Sequence, residues 1–108
     1  MDFKGCHLHK NITSKILDNN GFIQLSNYKY MICTNLYEES IAVQMFINIL
    51  SGEIEFDIID KNTRRTYAPF WNNINGENNL VAIQVINNFE KYLKELQENG
   101  ILYMEDNN

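Results

Sequence analysis

Glycine is scarce in this chain, and no glycine-rich turn leads into a helical pattern; Gly76 stands alone before the longest one. That excludes a phosphate-cradling loop and a dinucleotide fingerprint, whose tight turns need several glycines close together. No serine elbow and no metalloprotease helix is present. Cysteine is also scarce. Cys6 and Cys33, in a chain whose start shows no secretion signal, read as reduced thiols and not as a disulfide framework. Basic residues are outnumbered, nine against fourteen acids for a net charge of −5, the reverse of a nucleic-acid binder's footprint. Long apolar runs are missing too. Met1-Asp2-Phe3-Lys4 leads into no apolar segment. The best run, Ile41 to Leu50, is broken by Gln44 and Asn48 and is too short to span a bilayer. The expectation is a cytoplasmic protein without a membrane partner. With no linker, repeat or low-complexity tract, residues 1–108 are expected to form a single domain.

What is present is core material. Hydrophobic residues make up 44% of the chain, with six tyrosines, six phenylalanines and one tryptophan, which argues against disorder. The richness in Asn, Ile, Lys, Tyr and Phe is that of an AT-rich genome. Charge is uneven. Residues 1–35 carry Lys4, Lys10, Lys15 and Lys29 against Asp2 and Asp18, whereas residues 36–60 carry Glu38, Glu39, Glu53, Glu55, Asp57 and Asp60 and no Lys or Arg.

The pattern is clearest between Ser51 and Asn99. Glu53-Ile54-Glu55-Phe56-Asp57-Ile58 alternates, with acids on one face and apolar side chains on the other, as a half-buried strand requires. Asp60 to Thr63 is turn chemistry, and Arg65 to Phe70 is expected to return as a second strand, at an edge because of Pro69. Cross-strand pairing of Asp57 and Asp60 with Lys61, Arg64 and Arg65 is expected at the hairpin tip. From Asn79, the residues Ala82, Val85, Ile86, Phe89, Leu93 and Leu96 recur at helical spacing, and Asn99-Gly100 ends the helix with Ile101 as its apolar contact. Ile41 to Leu50 fits a strand with five apolar residues on one face. It also fits a helix capped through Asn35 and Glu38, but its β-branched content favours the strand, turned by Ser51-Gly52. Upstream, Phe22 to Leu25 and Tyr28 to Thr34 read as a hairpin, Ile12 to Leu17 as a short helix capped by Asn11, and Ile101 to Met104 as an edge strand. The fold expected is α+β: an antiparallel meander of about four strands with one long C-terminal helix on one face.

Few residues suggest chemistry. Cys6, His7, His9 and Cys33 are zinc-ligand types, yet they lack the paired spacing of a structural site. The same residues could serve a thiol nucleophile, but Cys33 beside Met31 in a strand is more simply a small packed residue. The acids of 53–60 follow one another along a strand and do not converge from separate elements as catalytic carboxylates must. Tyr28, Tyr30, Tyr67, Phe70 and Trp71 could stack on bases, with Lys61 to Arg65 the only basic cluster to support them. No enzyme activity, metal or cofactor is therefore expected. In general look, short, acidic and Asn/Ile-rich, the chain resembles small proteins carried by phages and mobile elements of AT-rich bacteria, although no motif carries that likeness. The resemblance implies an inhibitor of a host defence or nucleic-acid-handling protein. The acidic band itself suits a non-enzymatic interaction module, with Glu38, Glu39, Glu53, Glu55 and Asp57 as partner-binding residues, joined by Trp71, whose place after Pro69-Phe70 suggests a partly exposed ring. A metal- or thiol-dependent protein using Cys6, His7, His9 and Cys33, and a nucleic-acid binder using the Lys61–Arg65 tip, are the alternatives. An edge strand leaves homodimerisation open.

Overall fold

Alternation decides the centre of the molecule. In the computed structural model, which describes residues 5–72 and 79–105, Ile41–Asn48 (β4) is a strand. Its Ile41, Val43, Met45 and Ile47 are buried on one face. β4 turns through Ile49–Gly52 into Ile54–Asp60 (β5), with Val43 opposite Ile58, Met45 opposite Phe56 and Ile47 opposite Ile54. The turn is longer than a two-residue hairpin. The Asn48 carboxamide oxygen accepts from the backbone N–H of Leu50 and Ser51 at 2.9 and 3.1 Å, and Gly52 takes φ +78° to close it. A side chain there would be strained although nothing lies in its way.

Lys29–Tyr37 (β3) pairs along the other side of β4, and Ile23–Gln24 (β2) pairs with its start. Arg65–Thr66 (β6) pairs with the end of β5, which completes an antiparallel sheet in the order β2-β3-β4-β5-β6. A bulge interrupts β3 between Asn35 and Tyr37. The carbonyl freed at Leu36 accepts from the Asn88 side chain at 2.7 Å. Asn88→Ala leaves that buried-side carbonyl unsatisfied, and a loss of about 1–3 kcal/mol is expected in urea unfolding.

The long helix, Leu80–Glu98 (α3), begins where the sequence marks it: the Asn79 side chain accepts from the Ala82 N–H at 3.0 Å. It ends with Gly100 at φ +77°, Ile101 N–H bonding to Leu96 C=O and Gly100 N–H to Gln97 C=O. That is the paired-bond glycine stop, and both Ile101 and Leu96 are buried beside it. The buried face of α3, Ala82, Val85, Phe89, Tyr92, Leu93 and Leu96, covers the apolar face of the sheet. Phe56, Phe70 and Phe89 form the aromatic centre, with Phe56 stacked on Phe89 at 4.9 Å and Phe70 edge-on to both. Beyond α3, Leu102–Met104 (β7) pairs antiparallel with Cys6–Leu8 (β1), so the two ends of the described chain form a separate two-stranded ribbon.

Three local expectations are corrected. The return strand stops at Thr66, and Ala68–Asn72 (α2) is helical. Pro69 lacks the N–H a ladder needs but fits a first helical turn, where no N–H partner is required. The first helix (α1) spans Ser14–Asn19 and is capped by the Thr13 hydroxyl on the Ile16 N–H, not by Asn11. At the hairpin tip no carboxylate–cation pair forms among the described residues. Asp60 instead accepts from the backbone N–H of Asn62 at 2.9 Å and Asp57 from the Thr66 hydroxyl at 2.8 Å. A carboxylate two residues ahead of a turn finds those backbone donors before it finds a long, mobile side chain. Of the Asn-rich stretch from Trp71 to Asn79, which reads in the sequence as a turn-forming connection, Trp71 and Asn72 belong to α2 and Asn79 caps α3, while residues 73–78, like 106–108, lie outside the described residues.

Candidate interaction face

Helix α3 covers one face of the five-stranded sheet and, among the described residues, leaves the other open. The register identifies what the open face carries: Ile23 lies opposite Met31, Met31 opposite Phe46 and Phe46 opposite Glu55, one continuous row across four strands. Ile23 is 63% exposed and Phe46 38%. The next row runs Cys33, Gln44, Asp57, and the one after it Asn35, Ala42, Ile59, Thr66. An apolar strip on a polar sheet face, with acids at its end, is therefore the most distinctive surface the strands build.

Two hollows flank the strip. One, of about 130 Å³, is lined by Lys29, Phe46, Ile47, Asn48, Glu53 and Glu55 at the end where β4 turns into β5. The other, of about 380 Å³, is lined by Cys33, Gln44, Ile59, Lys61 and Arg64 at the opposite end. Lys61 is held there by a 3.0 Å hydrogen bond to the Asn35 side chain.

The residues expected to bind a partner are not gathered in one place. Glu53 and Glu55 are exposed beside Phe46, and Asp57 follows them on the same face with its carboxylate bound to Thr66. Glu38 and Glu39 sit in the β3–β4 turn, at the far end of the sheet from Glu53. Trp71 is 48% exposed, as its position suggested, but it stacks on Phe56 at 5.4 Å and so belongs to the helix-covered side. Sequence reading missed Ile23, Met31 and Phe46. Phe46 had a signal: it is the one large apolar residue among Ala42, Gln44, Phe46 and Asn48, the face of β4 turned away from the core.

The thiol and imidazole residues are likewise dispersed. Cys6 is buried in β1, and Cys33 is exposed on the open face of β3. His7 contacts Glu105 at 3.1 Å and lies against Tyr103, while His9 accepts from the Asn11 N–H. Among the described residues no three His, Cys, Asp or Glu side chains come together as metal ligands. Burial pushes the Cys6 thiol up to about 11, so it is a poor nucleophile. In native protein, a thiol reagent is expected to modify Cys33 quickly and Cys6 only on denaturation, as read by intact mass. The basic tip fails to assemble a stacking platform too, because Tyr67 is half-buried against the core and Trp71 lies on the other side of the sheet.

No family model matches the chain, and no curated protein matches it. The fold itself has a solved counterpart. The crystal structure of a DUF1831 family protein from Lactobacillus plantarum superposes with a TM-score of 0.70, covering 93% of this chain and 86% of that one at 13% identity. At that identity the likeness is one of fold. It covers the α+β arrangement of sheet and long helix, and it carries no residue roles across. No helix among the described residues is long and apolar enough to cross a membrane.

Proposed function

We propose that this protein is a non-enzymatic protein-interaction module that engages its partner with the open face of the five-stranded sheet. The row Ile23–Met31–Phe46–Glu55 carries the reading. Apolar side chains on a rigid strand surface, bordered by Glu53 and Glu55, suit a partner whose basic residues surround an apolar patch. Acting by occupancy is an inhibitor's mode of action, since covering a basic surface requires no chemistry from the protein that covers it.

Affinity capture from native-host lysate, read by mass spectrometry, tests this. The wild-type bait is expected to retain one dominant protein, the untagged chain itself included. Phe46→Asp and the combination Glu53→Gln/Glu55→Gln are expected to lose it while keeping the wild-type circular dichroism. Capture that survives both changes means the open face is a solvated surface and nothing more.

A further inference from the structure

The two hollows on the open face are opposite in character and lie at opposite ends of the same strands. The hollow at the β4–β5 turn holds Glu53 and Glu55 against a single Lys29. The hollow at the β5–β6 tip holds Lys61 and Arg64, with no acid among the described residues of its lining. Among the described residues, Lys61 and Arg64 form no ion pair. Asp57 and Asp60 are engaged by Thr66 and by the tip's own backbone, and the described residues contain no ion pair there. Glu38 and Glu39, in the turn at the same end, do not line it. Phe46 lines the first hollow and Ile59 the second, and the register places both, with Met31, on one surface.

From this arrangement we infer that the open face binds a second copy of this chain, the acidic end of each copy filling the basic hollow of the other. The inference rests on reading that face as an interaction surface, and it names the partner. A two-fold axis lying in the interface and running across the strands reverses strand direction. It therefore sets Glu53 and Glu55 of one copy over Lys61 and Arg64 of its mate, and the same contact recurs at the other end. The row Cys33, Gln44 and Asp57 lies nearest the axis, and Met31 and Phe46 of each copy face the Asn35, Ala42 and Ile59 row of the other. The result is an aligned sheet-on-sheet sandwich. Three full strands with short β2 and β6 outside them make a face about 20 Å wide and about 24 Å long. Two such faces bury on the order of 1,000 Å² in total, the lower limit for a specific interface, so the dimer is weak and concentration-dependent.

Sedimentation velocity across a concentration series tests the pairing with two charge-reversed variants of the full chain, Glu53→Lys/Glu55→Lys and Lys61→Glu/Arg64→Glu. Wild type is expected to dimerise, less so at high salt. Each variant alone is expected to dissociate about tenfold more readily or worse. An equimolar mixture of the two is expected to recover the dimer, because each end then meets an opposite charge again. A wild type that stays monomeric at every concentration overturns the inference, as do reversals without effect or a mixture that stays apart. Circular dichroism of each variant separates lost pairing from lost folding. A monomeric wild type whose lysate capture is still abolished by Phe46→Asp sinks the dimer alone, and the broader reading of the face stands.

Discussion

Phe89→Ala is expected to destabilise the protein by about 3–5 kcal/mol, a large share of the roughly 5–15 kcal/mol that holds a domain together. Phe89 is completely buried at the centre of α3. Its ring stacks on Phe56 and meets Phe70 edge-on, and Phe70 in turn packs edge-on against Trp71. Truncation removes the transfer energy of a whole ring and opens a cavity among rigid aromatic neighbours that cannot collapse to fill it. The variant should show a lower urea midpoint, and aromatic near-ultraviolet dichroism should weaken with it. Phe46→Ala is the matched control. Phe46 sits on the same sheet but on its open face, and its loss is expected to cost less than about 1 kcal/mol. Equal losses at the two positions would mean that the open face is covered in solution.

Stability is expected to fall steeply in alkali. Folding raises the Cys6 thiol from its ordinary 9.0 to about 11 through burial, so the folded state holds this proton more tightly than the unfolded chain does. A group raised in this way contributes fully below the unfolded value and loses its contribution as pH rises through the folded one. The window for Cys6 is therefore about pH 9 to 11, and the two-unit difference corresponds to about 2–3 kcal/mol. Burial also raises Tyr67 and Tyr92. The Tyr92 hydroxyl is buried opposite Thr34 without a hydrogen bond of full geometry. Both tyrosines push the loss further into alkali. Urea midpoints measured across that window should drop for wild type. In Cys6→Ala the part of the drop between about pH 9 and 11 should shrink, even though that variant starts from a lower midpoint. An identical slope in the two proteins would show that Cys6 is solvated.

The legible parts of the fold were those written locally. Asn79, Asn99-Gly100 and the three- and four-residue apolar steps between them define α3 without reference to anything distant, and the structure places its ends at those caps. The alternation of 53–58 likewise defines β5, whereas 41–50 fits a helix as well as a strand, and its pairing between β3 and β5 is what makes it β4. What could not be read depends on partners remote in sequence. The Leu36 carbonyl needs Asn88, which no local pattern connects to it. The β1–β7 ribbon joins Cys6 to Met104. The end of the return strand turned on Pro69, which satisfies two rules, edge strand and first helical turn, and only the core's demand for Phe70 chooses between them.

The candidate site was less legible than the fold. Composition and alternation located the acids of β5 on a solvent-facing stripe, but strand order decides what they adjoin. Antiparallel pairing puts Glu55 beside Phe46 and carries Glu38 and Glu39 to the other end of the sheet. The helical turn of α2 swings Trp71 onto the opposite side, against Phe56. A face that is open can be recognised only when the helix that might have covered it is seen to cover the other one.

The most direct measurement is a comparison of the two faces by affinity capture, with Phe46→Asp disrupting the open side and Trp71→Ser the helix side. Both residues are exposed, and both substitutions should leave a folded protein. The partner is expected to be lost with Phe46→Asp and retained with Trp71→Ser. Retention with Phe46→Asp and loss with Trp71→Ser would place the interaction on the helix side and contradict the assignment of the open sheet face.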